Sequence, residues 1–138
     1  MNFNEDMNLR QFARWWWREG KPLDVPTDPV RKHEGTAHLV LFRRGCLQVE
    51  QVVLYPNIPV PRHRHPDVET MEYILSGTGD AFIAGKRVPE IGRFLIPAGA
   101  VHWGMAHTPT VALSVQRWIN NVSPTFITDS WIGEAPWQ

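Results

Sequence analysis

Residues 62–79 read RHRHPDVETMEYILSGTG, and residues 92–103 read GRFLIPAGAVHW. The first stretch opens with His63 and His65 on either side of Arg64, just after the Pro59-Val60-Pro61 break. On a β-strand, residues i and i+2 point to one face about 7 Å apart at the backbone, close enough for two imidazoles to converge. Metal–nitrogen bonds of about 2.0–2.1 Å bring such donors to roughly 3 Å from each other, which neutral histidines at this spacing can reach. Arg62 and Arg64 then face the opposite way. In the second stretch Pro97 and Gly99 flank Ala98 in a tight reversal, and the strand that follows returns His102 towards the sheet interior. A third neutral imidazole leaves coordination positions open for water, dioxygen or substrate. The plain structural readings are surface histidines on a basic edge strand for the pair, and a core histidine bonded to a carbonyl for His102.

The flanks of both stretches have β character. Strand-like runs separated by turn residues fall at Ala37–Arg43, Leu47–Tyr55, Arg62–His65, Met71–Leu75, Ala81–Ala84, Arg93–Ile96 and Val111–Ile119, with a short final strand around Thr125–Trp131. Spacing of roughly eight to twelve residues with Gly or Pro punctuation is the signature of a sandwich or barrel, so the fold class is all-β. One helix precedes it, over residues 5–19, with Asn4 as cap, Glu5 and Asp6 in the first turn and Gly20 and Pro22 as stop signals. Leu9, Phe12 and Trp16 give it one apolar stripe. Trp15, Trp16 and Trp17 cannot all share that stripe, because neighbours on a helix are about 100° apart. Prolines at 22, 26 and 29 make the stretch to Gly35 an extended connector. The organisation expected is a helix and arm over 1–35 packed on a β domain over 36–138.

The chain has 138 residues, enough for one domain and one core. Its 14 Lys and Arg balance 14 Asp and Glu, so no global field attracts polyanions, and nucleic acid is not an expected partner. No apolar run approaches the ~18 residues that span a bilayer, and Glu5 and Asp6 stand where a signal peptide needs basic residues. A cytoplasmic protein with no membrane association is the expectation. The single Cys46 can form no internal disulfide and reads as a small core residue beside the Arg44-Gly45 turn. Seven tryptophans are many for this length and point to self-association, most simply as a homodimer.

Taken together, residues 63–79 and 92–103 resemble the two signature motifs of the cupin superfamily, in which HxH is followed by Glu and a strand ending in Gly, and a PxG turn delivers a third His. The match spans about a third of the chain. It implies a jelly-roll barrel, the double-stranded β-helix, with a short N-terminal helix, and one divalent transition metal on His63, His65 and His102. Mn, Fe, Ni, Co and Zn all suit such donors. The chain departs from the pattern in one important place: counting back from Gly77, the usual metal-binding carboxylate falls on Thr70, a poor ligand. Glu69 lies one residue early and on a regular strand points to the other face, which a bulge could reverse. Asn57 stands where a Gly often precedes HxH, and Ala106 where Asn is common.

Hydrophobic periodicity and the cupin register disagree over residues 70–76. Met71, Tyr73 and Leu75 form the more apolar set and would ordinarily be the buried face. The cupin register instead sends Thr70, Glu72 and Ile74 inward, and is preferred here because a barrel exterior can be apolar where a helix or a second subunit covers it. Glu72 then sits in the cavity beside the metal as an acid or base, while Glu69 or Glu72 serves as a fourth ligand. Trp103 and Phe82 are candidates for the pocket wall. His33, His38 and His107 have no motif partner and read as structural or exposed. The resemblance implies an enzyme acting on a small polar molecule, with a dioxygenase narrowly preferred over a lyase, decarboxylase or isomerase. A ligand-binding or sensor cupin without turnover is the alternative, and a metal-free barrel used for assembly is the third reading.

Overall fold

The computed structural model describes residues 2–19, 30–33, 35–89, 92–120 and 130–131. Helix α1 spans Leu9–Glu19 and begins four residues later than the sequence suggested. The reason is a reciprocal cap: the Asn8 side chain accepts from the Gln11 amide at 2.9 Å, and the Gln11 side chain accepts from the Asn8 amide at 3.0 Å. Asn4 instead accepts from the Asp6 amide at 2.8 Å and heads a separate turn.

The strands are β1 (Val30–His33), β2 (Thr36–Arg44), β3 (Leu47–Leu54), β4 (Val60–Arg64), β5 (Val68–Ser76), β6 (Gly79–Ile83), β7 (Lys86–Arg87), β8 (Arg93–Ile96), β9 (His102–Ala106), β10 (Thr110–Trp118) and β11 (Ser130–Trp131). They form a sheet in the order β1-β2-β3-β10-β5-β8 and a second in the order β11-β4-β9-β6-β7, all pairs antiparallel. This is the all-β jelly roll expected. Two short strands were not foreseen: β1, within the stretch read as a connector, and β7, on the edge of the smaller sheet. Residues 125–129, included in the expected last strand, lie outside the described residues.

Helix α1 packs on the outer face of the larger sheet. Leu9, Phe12, Ala13 and Trp16 join Phe42, Leu47, Val49, Leu113 and Val115 in one buried cluster, with Met71 and Tyr73 packed against it. The tryptophan run divides as helical geometry requires. Trp16 is buried, Trp15 lies 5.2 Å from the Phe42 ring, and Trp17 remains 48% exposed with its ring edge-on to Tyr73. The cover is what lets Met71 and Tyr73 be apolar on the outside, so Thr70, Glu72 and Ile74 line the interior as the cupin register required.

A bulge in β2 serves both faces. Val40 pairs with Glu50 but Phe42 pairs with Val49, so the strand changes parity at Leu41. His38 therefore faces inward while Phe42 faces the helix. A regular strand would have put both side chains on one face. At the other end of the barrel, Gly77 has φ +97°, and a Cβ there would collide with the Thr110 side chain and the Pro109 carbonyl, so the corner after β5 requires glycine.

Candidate metal centre

Strand β4 presents His63, His65 follows directly after it, and β9 presents His102 opposite His63 in the strand register. The ring centroids lie 4.9 Å apart for His63 and His65, 4.1 Å for His63 and His102, and 4.9 Å for His65 and His102. One ligand nitrogen from each lies within 4.8 Å of the others. Among the described residues this is the one group of three or more potential ligands brought so close.

Main-chain contacts hold the rings. Nδ1 of His63 donates to the Pro61 carbonyl at 2.9 Å, and Nδ1 of His102 donates to the Ala100 carbonyl at 3.0 Å. A carbonyl only accepts, so the proton of a neutral ring sits on Nδ1 and the lone pair on Nε2, the tautomer that binds a metal. The reversal before His102 is closed by the Ala100 amide on the Pro97 carbonyl at 3.1 Å, with Gly99 at φ +78°. The Gly99 amide in turn donates to the His65 carbonyl at 2.8 Å, joining the two ligand-bearing segments through backbone alone. Two rings locked in the ligating tautomer, and three nitrogens within the span one ion bridges after small adjustments, fit a divalent transition metal.

The triad opens on a cavity of about 520 Å³. Glu72 lies on its wall and accepts from the Ser114 hydroxyl at 2.6 Å. The residue is partly buried there. That burial pushes its pKa up from 4.5 to about 7; the Ser114 hydrogen bond opposes the rise and the nearby Glu50 adds to it.

Glu50 belongs to a polar layer that the sequence reading passed over. Its carboxylate takes a hydrogen bond from Gln116 Nε2 at 3.1 Å and lies 3.3 Å from His38 Nδ1, while Gln48 Nε2 donates to Gln116 Oε1 at 2.8 Å. Both Glu50 and His38 line the cavity, so His38 is more than an unassigned histidine. The signal was the alternation of Leu47, Gln48, Val49 and Glu50, whose polar members face inward because α1 claims the apolar ones.

The other candidate residues are not brought to the triad. Glu69 points outward and pairs with its cross-strand neighbour Arg117 at 3.3 Å; no bulge turns it in. Phe82 and Trp103 stack with centroids 4.2 Å apart and planes 6° from parallel. They are paired across β6 and β9, one residue from His102 and so on the opposite sheet face. Trp103 still borders the cavity, whereas Phe82 does not. His107 is surface-exposed and bonds Asp80 at 2.8 Å; this contact, and then Arg87, hold the Asp80 carboxyl below its usual range.

No family model matches the chain, and no curated protein does. Solved structures do. A cupin-2 domain protein of Rhodospirillum rubrum superposes with a TM-score of 0.60 at 16% identity, over 81% of this chain and 76% of that one. KdgF from a Halomonas species gives 0.59 at 16% identity, over 75% and 92%. A variant of Bacillus subtilis oxalate decarboxylase gives 0.57 at 16% identity, over 77% of this chain and 30% of that one.

Proposed function

From the premise that this chain has the cupin fold, we propose that it is a metal-dependent enzyme in which His63, His65 and His102 hold one divalent metal and Glu72 moves a proton to or from a small molecule bound between them. The observation that carries this reading is the convergence of three imidazoles on a cavity whose wall also holds a carboxyl with a pKa of about 7. When bound, the metal supplies Lewis acidity towards a substrate oxygen. Everything else falls to the chain. The Pro61 and Ala100 carbonyls orient the rings of His63 and His102, Ser114 holds one Glu72 oxygen, and burial, with a smaller push from Glu50, keeps the Glu72 proton bound up to near-neutral pH. A group that titrates near the working pH exchanges protons in both directions, which supports lyase or isomerase chemistry. The dioxygenase preferred on sequence draws support from no particular side chain of the cavity.

The test is metal content after repletion with Mn, Fe, Ni, Co or Zn. Wild type should retain about one equivalent of one of these ions, and His63→Ala and His102→Ala at least roughly tenfold less. Equal and negligible metal in all three proteins ends the reading. Deuterium exchange at carbon, followed by NMR over a panel of carbonyl and hydroxy compounds, should then depend on Glu72 and be lost in a Glu72→Gln variant that keeps its metal. Oxygen consumption in place of exchange would restore the dioxygenase reading, and tight binding with neither would make the protein a sensor. A homodimer is part of the same proposal, supported by the exposed Trp17 on the helix. Light scattering at twice the 15.9 kDa chain mass supports it, and the chain mass alone rejects it.

A further inference from the structure

The charged side chains of the cavity are all of one kind. Glu50, Glu72 and Asp80 line it, together with His38, His63, His65 and His102, and no Arg or Lys does among the described residues. The described basic residues around the barrel are engaged or directed elsewhere. Arg43, at the end of the barrel, donates to Gln48 at 2.6 Å; Arg87 is taken up by Asp80 and Arg117 by Glu69; Arg62, Arg64 and Arg93 are exposed. The rest of the wall is largely apolar, with Val52, Leu54, Ile74, Phe94 and Ile96 among its members.

A carboxylate taken from water into such a space loses several kcal/mol of hydration, and only an opposite charge with hydrogen bonds restores it. One divalent ion on three neutral imidazoles could meet one anionic group, but the acidic wall around it disfavours even that one. A second anionic group on the same ligand would face Ser114, the carboxyl groups of the wall and aliphatic side chains, with no guanidinium or ammonium among the described lining residues to receive it. We infer that the ligand of this cavity is an uncharged, largely apolar molecule that carries a hydroxyl or carbonyl oxygen, and is not a carboxylate or phosphate. The inference narrows the substrate class of the proposed enzyme. It rests on that reading only for the location of the site, since the charge of the wall belongs to the chain itself.

The experiment measures binding by calorimetry to the zinc-loaded protein, with probes matched in shape and differing in charge: benzyl alcohol and benzaldehyde against benzoate and phthalate. The uncharged pair should bind at least about tenfold tighter than benzoate, with phthalate weakest. Ile74→Lys, which sets an ammonium in the wall on the same strand face as Glu72, should narrow or invert the order. Should that variant fail to fold, Glu50→Gln keeps the hydrogen-bonding shape of its site while removing a negative charge, and should strengthen benzoate binding. Tighter binding of benzoate or phthalate to wild type, or no saturable binding of either uncharged probe, overturns the inference. Failure of the chain to take up zinc would count against the metal reading instead. The same probes titrated into the metal-free chain should still rank uncharged above anionic.

Discussion

Along β3, Leu47 and Val49 lie under the helix while Gln48 and Glu50 face the barrel interior, and β10 repeats the division with Leu113 and Val115 against Ser114 and Gln116. On β5 the same alternation sets Met71 and Tyr73 against Thr70 and Glu72. The two sides of one sheet therefore have opposite tasks. The outer side is closed by aromatic packing around Phe12 and Phe42 and holds no charged side chain in its buried cluster. The inner side keeps a layer of carboxyl and amide groups facing open space. A barrel that relied on its interior for cohesion could not leave about 520 Å³ unfilled; here the helix supplies the cohesion from outside.

The largest expected effect tests that division directly. Phe12→Ala removes a fully buried ring from the outer cluster and should cost about 3–5 kcal/mol in chemical denaturation. A loss below about 1 kcal/mol would mean that the helix is ornamental to the barrel.

Next comes an effect of opposite sign on the inner side. Glu72 has a folded pKa of about 7 against an ordinary 4.5, so its contribution to stability is full below 4.5 and is lost as pH rises through 7. In metal-free protein, Glu72→Gln should remove that decline. The variant should therefore be the more stable above pH 7, by an amount of order 3 kcal/mol, with the difference between the two proteins growing between pH 4.5 and 7. Parallel denaturation curves across that window would show the carboxyl to be well solvated.

The smallest effect concerns only the attachment of the outer layer. Asn8→Ala breaks the reciprocal cap with Gln11 and should cost about 1 kcal/mol, with metal content unchanged. A loss of metal on that change would join two regions that the structure keeps apart.

How much of this was legible in the sequence follows the same boundary. The three histidines could be read because their grouping depends on local spacing, two at the end of one strand and one after a Pro-Gly turn. The inward facing of Thr70 and Glu72 could be read only through the cupin register, because simple periodicity assumes a single apolar side and this sheet has two covered sides. Glu50 and His38 were not singled out, since their partners Gln116 and Glu50 come from other strands, and the β2 bulge that turns His38 inward has no signal in composition. Glu69 was misplaced for the complementary reason: the bulge invoked to turn it in is absent, and Arg117 across the strand pair holds it out. The cap moved from Asn4 to Asn8 because Gln11 stands three residues after Asn8, where it can return the hydrogen bond.

The Gly99 amide bonded to the His65 carbonyl has a consequence for how this socket could be reworked. The clasp is made of main-chain atoms, so its strength does not depend on which side chains project from positions 63, 65 and 102. Replacing an imidazole by a thiolate or a carboxylate changes the preference among ions without undoing the turn that delivers it. The frame and its donor set are separable parts, and a chemist seeking a different metal could alter the second while leaving the first alone.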